Sequence, residues 1–174
     1  WSPDFGGADT TLELELPAHA DLAQLDIAVP TLSHCFVPPE SAAQPGLSAV
    51  GAAGSCNVDL SCRPDVGSES RSVARMLFVE NGRTFLCTGT LLNDAQSSAT
   101  PYFLSANHCI STQSVASSLT TDWFFRSSAC NSGEVYAGAQ RLNGGATLLY
   151  AQAATDTAFM RLNAAPPAGI VFAG

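Results

Sequence analysis

The stretch SVARMLFVE-NG-RTFLCTGTLL, residues 72–92, decides the fold. Asn81-Gly82 sits between two runs of largely apolar residues. That dipeptide suits a type I′ turn, which needs positive φ at both central positions. Two strands, Ser72–Glu80 and Arg83–Leu92, are therefore predicted to fold back on each other as a hairpin. Further strand signals follow at short intervals: Pro101–Ser105, Leu119–Arg126, Ala146–Ala151 and Thr157–Leu162. Ser111–Ser118 is small and polar and suits one or two helical turns. Many short strands, turn residues between them and almost no helical period predict an all-β fold, an antiparallel barrel or sandwich. No internal repeat is visible.

Upstream, Thr11-Leu12-Glu13-Leu14-Glu15-Leu16 alternates strictly, which predicts a half-buried strand. Pro17 stops it, and Leu25–Val29 is a second, less regular strand before Pro30. From Pro38 to Gly54 the chain is rich in Pro, Ala, Gly and Ser and reads as a linker. The predicted boundary lies near residue 50, with a small β-rich segment and linker over 1–49 and the main domain over 50–174.

Apolar residues make up 46% of the 174 and charged residues 13%, a balance that supports a packed core. No apolar run approaches the length of a membrane span. The net charge is −8, and all seven basic residues are arginine. Without a basic cluster to follow a phosphate backbone, nucleic acid and anionic lipid are poor partners. The cysteines, at 35, 56, 62, 87, 109 and 130, form no C-x-x-C pair. They fit disulfides in an oxidising compartment, secreted or periplasmic, better than metal or redox chemistry. The chain opens at Trp1 without a signal segment and stops after the apolar run Ile170–Ala173, so a piece of a longer precursor is expected.

The chemistry centres on Tyr102-Phe103-Leu104-Ser105-Ala106-Asn107-His108-Cys109. An apolar strand delivers His108 to a point where the chain must leave the sheet. A Cys87–Cys109 bridge would clamp that corner onto the neighbouring strand and restrain the unfolded chain by roughly 3 kcal/mol. A catalytic histidine needs an aspartate to fix its tautomer. Asp156 directly precedes an alternating apolar strand, and Asp122 before Trp123 suits a strand start equally well.

The pair CTGTLLN…YFLSANHC, with SCNVDLSC at residues 55–62, resembles the trypsin-like serine proteases and is most similar to their bacterial lysyl endopeptidase branch. The resemblance runs from about Gly51 to Gly174 and is specific at three places: the two-cysteine opening, the Cys87/His108-Cys109 pair, and Trp123-Phe124-Phe125 to Cys130. It implies the first barrel, six-stranded and antiparallel, of a chymotrypsin-like double barrel, preceded by a small β-rich propeptide-like or accessory segment. It implies His108 as general base and favours Asp156 over Asp122 as its partner. By position it implies Cys62–Cys130 and Cys87–Cys109 disulfides. Cys56 would ordinarily reach a cysteine of the second barrel, which leaves Cys56 and Cys35 to bond each other.

No Gly-Asp-Ser-Gly-like turn occurs, and Gly46-Leu47-Ser48-Ala49-Val50-Gly51 lies in the linker without the G-x-S-x-G spacing. The serine and the specificity pocket are therefore expected from a second barrel beyond Gly174. No cofactor or metal is expected. A metal site pairing His34-Cys35 with His108-Cys109 lacks a carboxylate or a second close ligand pair. His19 reads as exposed, and Trp123 with Phe124 and Phe125 as barrel wall or the border of a substrate cleft. No lysine precedes Val50-Gly51, which argues against maturation there by a lysine-specific self-cut. The function expected is a secreted serine endopeptidase, a zymogen acting on protein or peptide substrates, of which this chain supplies His and Asp and is inactive alone. The alternatives are a non-catalytic secreted β module (a pseudoprotease, or an adhesion or inhibitory domain) and a hydrolase whose nucleophile lies within this chain.

Overall fold

The computed structural model describes residues 9–29 and 56–174. Strands β1 (Val73–Glu80) and β2 (Arg83–Leu92) form the hairpin, in register from Val73 opposite Thr90 to Glu80 opposite Arg83. At the turn, Asn81 has φ 50° and Gly82 φ 74°, the left-handed pair that a two-residue hairpin requires. Alternation sets the faces. Ala74, Met76 and Phe78 point into the core, while Val73 and Arg75 point outward.

The other strands are β3 (Tyr102–Ser105), β4 (Thr120–Trp123), β5 (Gln140–Leu142), β6 (Ala146–Gln152) and β7 (Thr157–Leu162). Together they make one antiparallel sheet in the order β5-β4-β1-β2-β3-β7-β6, so the fold is all-β. Its inner face buries Met76, Leu91, Phe103, Ile110, Trp123 and Met160, each 0% exposed. Burying a side chain of this size contributes roughly 1.5–3 kcal/mol before entropy is counted. Phe103 meets Trp123 edge-on, and the Trp123 indole N–H donates to the Thr121 hydroxyl. One short helix, α1 (Gln113–Ser117), is capped by Thr112 and packs Val115 and Ala116 inward. The Gln113 amide holds it to β6, donating to the Ala146 carbonyl and accepting from the Leu148 N–H.

The sheet has seven strands where six were expected, and its edges β5 and β6 are not paired as a ladder. Those edges are consecutive in sequence, separated by 143–145. Gly145 donates to the Leu119 carbonyl at the start of β4 and accepts from the Asn163 N–H at the end of β7. β5 is thus added to the six expected strands, and the corner at 143–145 bridges the two edges without closing the hydrogen-bonded sheet. Gly145 sits at φ +71°, and a Cβ there would lie 2.4 Å from the Ser117 carbonyl oxygen, so only glycine fits. β5 escaped sequence reading because three residues carry too little period to register.

The two upstream strands are not formed. Residues 9–29 are irregular apart from a turn at 18–19 and a 3₁₀ turn at Leu22–Gln24, all are exposed, and Leu12, Leu14, Leu16, Leu25, Ile27 and Val29 face solvent. The alternation is real, but a strand exists only by pairing, and the segment's hydrogen bonds, such as Ala20 N–H to the Pro17 carbonyl and Ala23 N–H to the Asp21 carboxylate, are internal to it. Cys35, His34, the linker over 38–54 and the predicted boundary near residue 50 lie outside the described residues. From Cys56 onward short 3₁₀ turns lead into β1, and the Cys62–Cys130 disulfide ties them to the loop after β4. Asp59 reinforces the tie by accepting from the backbone N–H groups of Ser61 and Asn131. Beyond β7 the chain returns along β2, where Ala173 donates to Leu91 and accepts from Asn93. Among the described residues no helix is long and apolar enough to cross a membrane.

Candidate active site

Strand β3 runs between β2 and β7 and ends at Ser105. The chain then turns tightly, because the N–H groups of Cys109 and Ile110 both reach the Ala106 carbonyl. Cys109 and Ile110 are buried and anchor the turn, and the Cys87–Cys109 disulfide fastens it to β2. With its two successors held inside, His108 projects outward, its side chain 70% exposed.

Asp156 arrives from the other side. A 3₁₀ turn, Ala153–Thr155, ends on Asp156 in the left-handed region at φ 48°, ψ 44°, just before β7. Aspartate tolerates that conformation better than most residues. The β3–β7 register sets Ala158 opposite Ser105, which brings the start of β7 beside the β3 exit. The Asp156 carboxylate accepts the His108 backbone N–H at 2.9 Å and ring Nδ1 at 2.7 Å. These hydrogen bonds, the backbone one foremost, hold the Asp156 carboxyl below its ordinary pKa, and the charge of the imidazole adds to the effect when the ring is protonated. An ionised carboxylate can only accept, so Nδ1 carries the proton, and in the neutral form of the imidazole Nε2 is left as a bare acceptor on an exposed side chain. Such a group can take a proton from a hydroxyl brought to it and return it to a leaving group. Among the described residues no hydroxyl is hydrogen-bonded to the ring. The nearby Ser105 hydroxyl donates instead to the Thr88 carbonyl.

Asp122, the competing carboxylate, is buried at 4% exposure on β4. Arg75 stands opposite it on β1 and Arg141 opposite it on β5. Arg75 donates to Oδ2 through Nε at 2.9 Å and Nη2 at 2.5 Å, and Arg141 donates to Oδ1 through Nε at 2.7 Å. The Arg75 guanidinium also stacks on Phe125, 3.5 Å from the ring centroid. Asp122 is therefore engaged by two arginines and does not meet His108. Arg141 and the arginine bracket were missed in sequence reading. Its signal was Arg75, one cation inside an apolar strand run, which demands a partner.

Trp123 is core, while Phe124 and Phe125 line an outer cleft that neither His108 nor Asp156 borders. His19 is exposed. Cys87, His108 and Cys109 have their ligand atoms within 4.8 Å of one another, but the two sulfurs form a disulfide and offer no thiolate to a metal. Cys56 is exposed and has no disulfide partner among the described residues.

Comparison with known proteins gives a consistent family. The model described as "Lysyl endopeptidase, C-terminal domain" matches residues 50–174, and "Lysyl endopeptidase N-terminal domain" matches residues 1–36. A lysyl endopeptidase of Pseudomonas aeruginosa is 35% identical over the whole of this chain, which spans 39% of that protein's length. A secreted RxLR effector protein (number 73) of Plasmopara viticola is 34% identical over 98 residues, 53% of this chain and 23% of its own.

Proposed function

The chain belongs to the lysyl endopeptidase family, and from that premise we propose that it supplies the histidine and the aspartate of a secreted, trypsin-like serine endopeptidase. The observation that carries the proposal is the double engagement of His108 by Asp156. In this reading His108 Nε2 takes the proton of a serine hydroxyl as that oxygen attacks the scissile carbonyl. The imidazolium, steadied by the Asp156 carboxylate, then gives the proton to the leaving amine. The serine and the oxyanion hole come from a second barrel of the same precursor. What supports this division is the absence of a serine turn in the sequence and the 39% of the relative's length that the chain covers. Residues 1–49 act as a propeptide-like segment and 50–174 as the first barrel, which alone is inactive. The face built for the second barrel makes the isolated chain prone to self-association. Two disulfides among the described residues support an extracellular or periplasmic setting.

The test is labelling of the full-length secreted protein with a fluorophosphonate. One serine outside residues 1–174 should be modified, His108→Ala should abolish labelling, and the isolated chain should stay unlabelled. Labelling within these residues would favour the hydrolase whose nucleophile is internal.

A second reading, a non-catalytic secreted β module, draws on the similarity of part of the chain to a secreted effector protein. An unlabelled full-length protein would favour it. We further propose that Cys35 bonds Cys56, tying the upstream segment to the main domain. Free thiols at both positions in the oxidised protein would overturn that bridge.

A further inference from the structure

The backbone ladder between β2 and β3 runs out at Thr90 opposite Leu104. Beyond that rung the two strands stay close. A Cβ on Gly89 would run into the ring of Phe103, which is fully buried and has no room to yield. It would also come within 3.0 Å of the Leu104 carbonyl oxygen. Where the ladder ends, a side chain continues it: the half-buried Ser105 donates its hydroxyl to the Thr88 carbonyl at 2.8 Å. Cys87, the neighbour of Thr88, carries the disulfide to Cys109. The turn that holds His108 is thus fastened to adjacent residues of one strand, by a hydroxyl where it begins and by a disulfide where it ends.

Ser105 has a second attachment. Its backbone stands opposite Ala158 of β7, two residues past Asp156. One residue therefore links β2, through its hydroxyl, to the start of the strand that delivers the carboxylate. The hydroxyl is committed to Thr88 and not to the imidazole, so any influence on the ring passes through the backbone.

We propose that Ser105 is a positioning residue for the His108–Asp156 pair, fixing the entry to the histidine turn through the Thr88 carbonyl. Its effect on rate rests on the endopeptidase function proposed above, whereas its effect on the contact between the two residues does not. The disulfide cannot do the same work, because Cys109 follows His108 and leaves the entry side of the turn free to shift. Asp156 meets His108 at both its backbone N–H and its ring, so a displaced turn loosens both bonds together. Misplacing a reacting group by about 1 Å costs up to about a hundredfold in rate, which gives one well-placed hydroxyl its leverage.

The test compares Ser105→Ala with Ser105→Thr in the full-length protein. Ser105→Ala should lower kcat about tenfold while KM changes less than about twofold. Ser105→Thr keeps the hydroxyl and should recover most of the rate. Added to Asp156→Asn, Ser105→Ala should lower kcat no further, because the contact it serves is already gone. One readout is independent of activity: the His108 Nδ1–H resonance, assigned by its loss in His108→Ala. It should broaden into water in Ser105→Ala and persist in Ser105→Thr. An unchanged ring resonance in Ser105→Ala, equal losses in Ser105→Thr, or a full tenfold loss on top of Asp156→Asn would overturn the proposal. A wild-type protein that takes no fluorophosphonate would overturn the endopeptidase function instead, and the ring resonance would then decide the role of Ser105 by itself.

Discussion

The Asp156 carboxylate holds His108 at two points, taking its backbone N–H at 2.9 Å and its ring Nδ1 at 2.7 Å. One bond sets where the residue sits and the other sets which ring nitrogen carries the proton. Neither alone would fix both.

An Asp156→Asn variant nearly preserves shape but puts an amide where an anion stood. The imidazole then loses its tautomer restraint and the charge that steadies its protonated form. In the full-length protein kcat should fall by about four orders of magnitude, the size known for an Asp→Asn change in such a triad. KM should move only a few-fold, since the substitution leaves the local geometry nearly intact. A larger change in KM than in kcat would point to a structural role.

The depressed pKa of Asp156 has a definite pH consequence. A carboxyl lower in the folded state than its ordinary 3.8 contributes stability that is present above that value and is lost as pH falls through the folded value. The His108 amide resonance, read by NMR, should therefore titrate with a midpoint below 3.8. A midpoint at or above it would mean that the pair is broken in solution.

Asp122→Ala removes the carboxylate shared by Arg75 and Arg141, whose side chains are 13% and 23% exposed. Breaking a buried pair in this way costs about 3–5 kcal/mol, read as a lower midpoint in urea unfolding. Asp156→Ala, at a half-exposed site, should cost far less. Comparable losses would show that the arginine bracket is not holding the β1–β4–β5 face.

Gly145→Ala should destabilise by about 2 kcal/mol or more, because the new methyl meets the Ser117 carbonyl and the backbone is left-handed. Gly133→Ala is the control, with φ +69° but open space around its Cβ position. If the two cost the same in thermal unfolding, the corner at 143–145 is not close-packed.

Much of the fold was legible along the chain. Asn81-Gly82 marks its hairpin because few residue pairs tolerate positive φ twice. The strands β3, β6 and β7 are visible as apolar runs, and His108 stands at the end of one of them, next to a cysteine. The Thr11–Leu16 alternation misled because periodicity reports which faces a strand would have, not whether a partner exists.

The sequence by itself determined the all-β character, the hairpin and the family to which the chain belongs, because turn chemistry, period and motif are local properties of neighbouring residues. The family resemblance favoured Asp156, but the contact that brings one of two similar aspartates to His108 is seen only in the tertiary structure. Asp122 and Asp156 both adjoin a strand, and nothing local separates them. The ladder register separates them: it sets Asp122 between Arg75 and Arg141 and brings the start of β7 to the end of β3. Register is a relation between residues distant in the chain, fixed by which side chains must share the core.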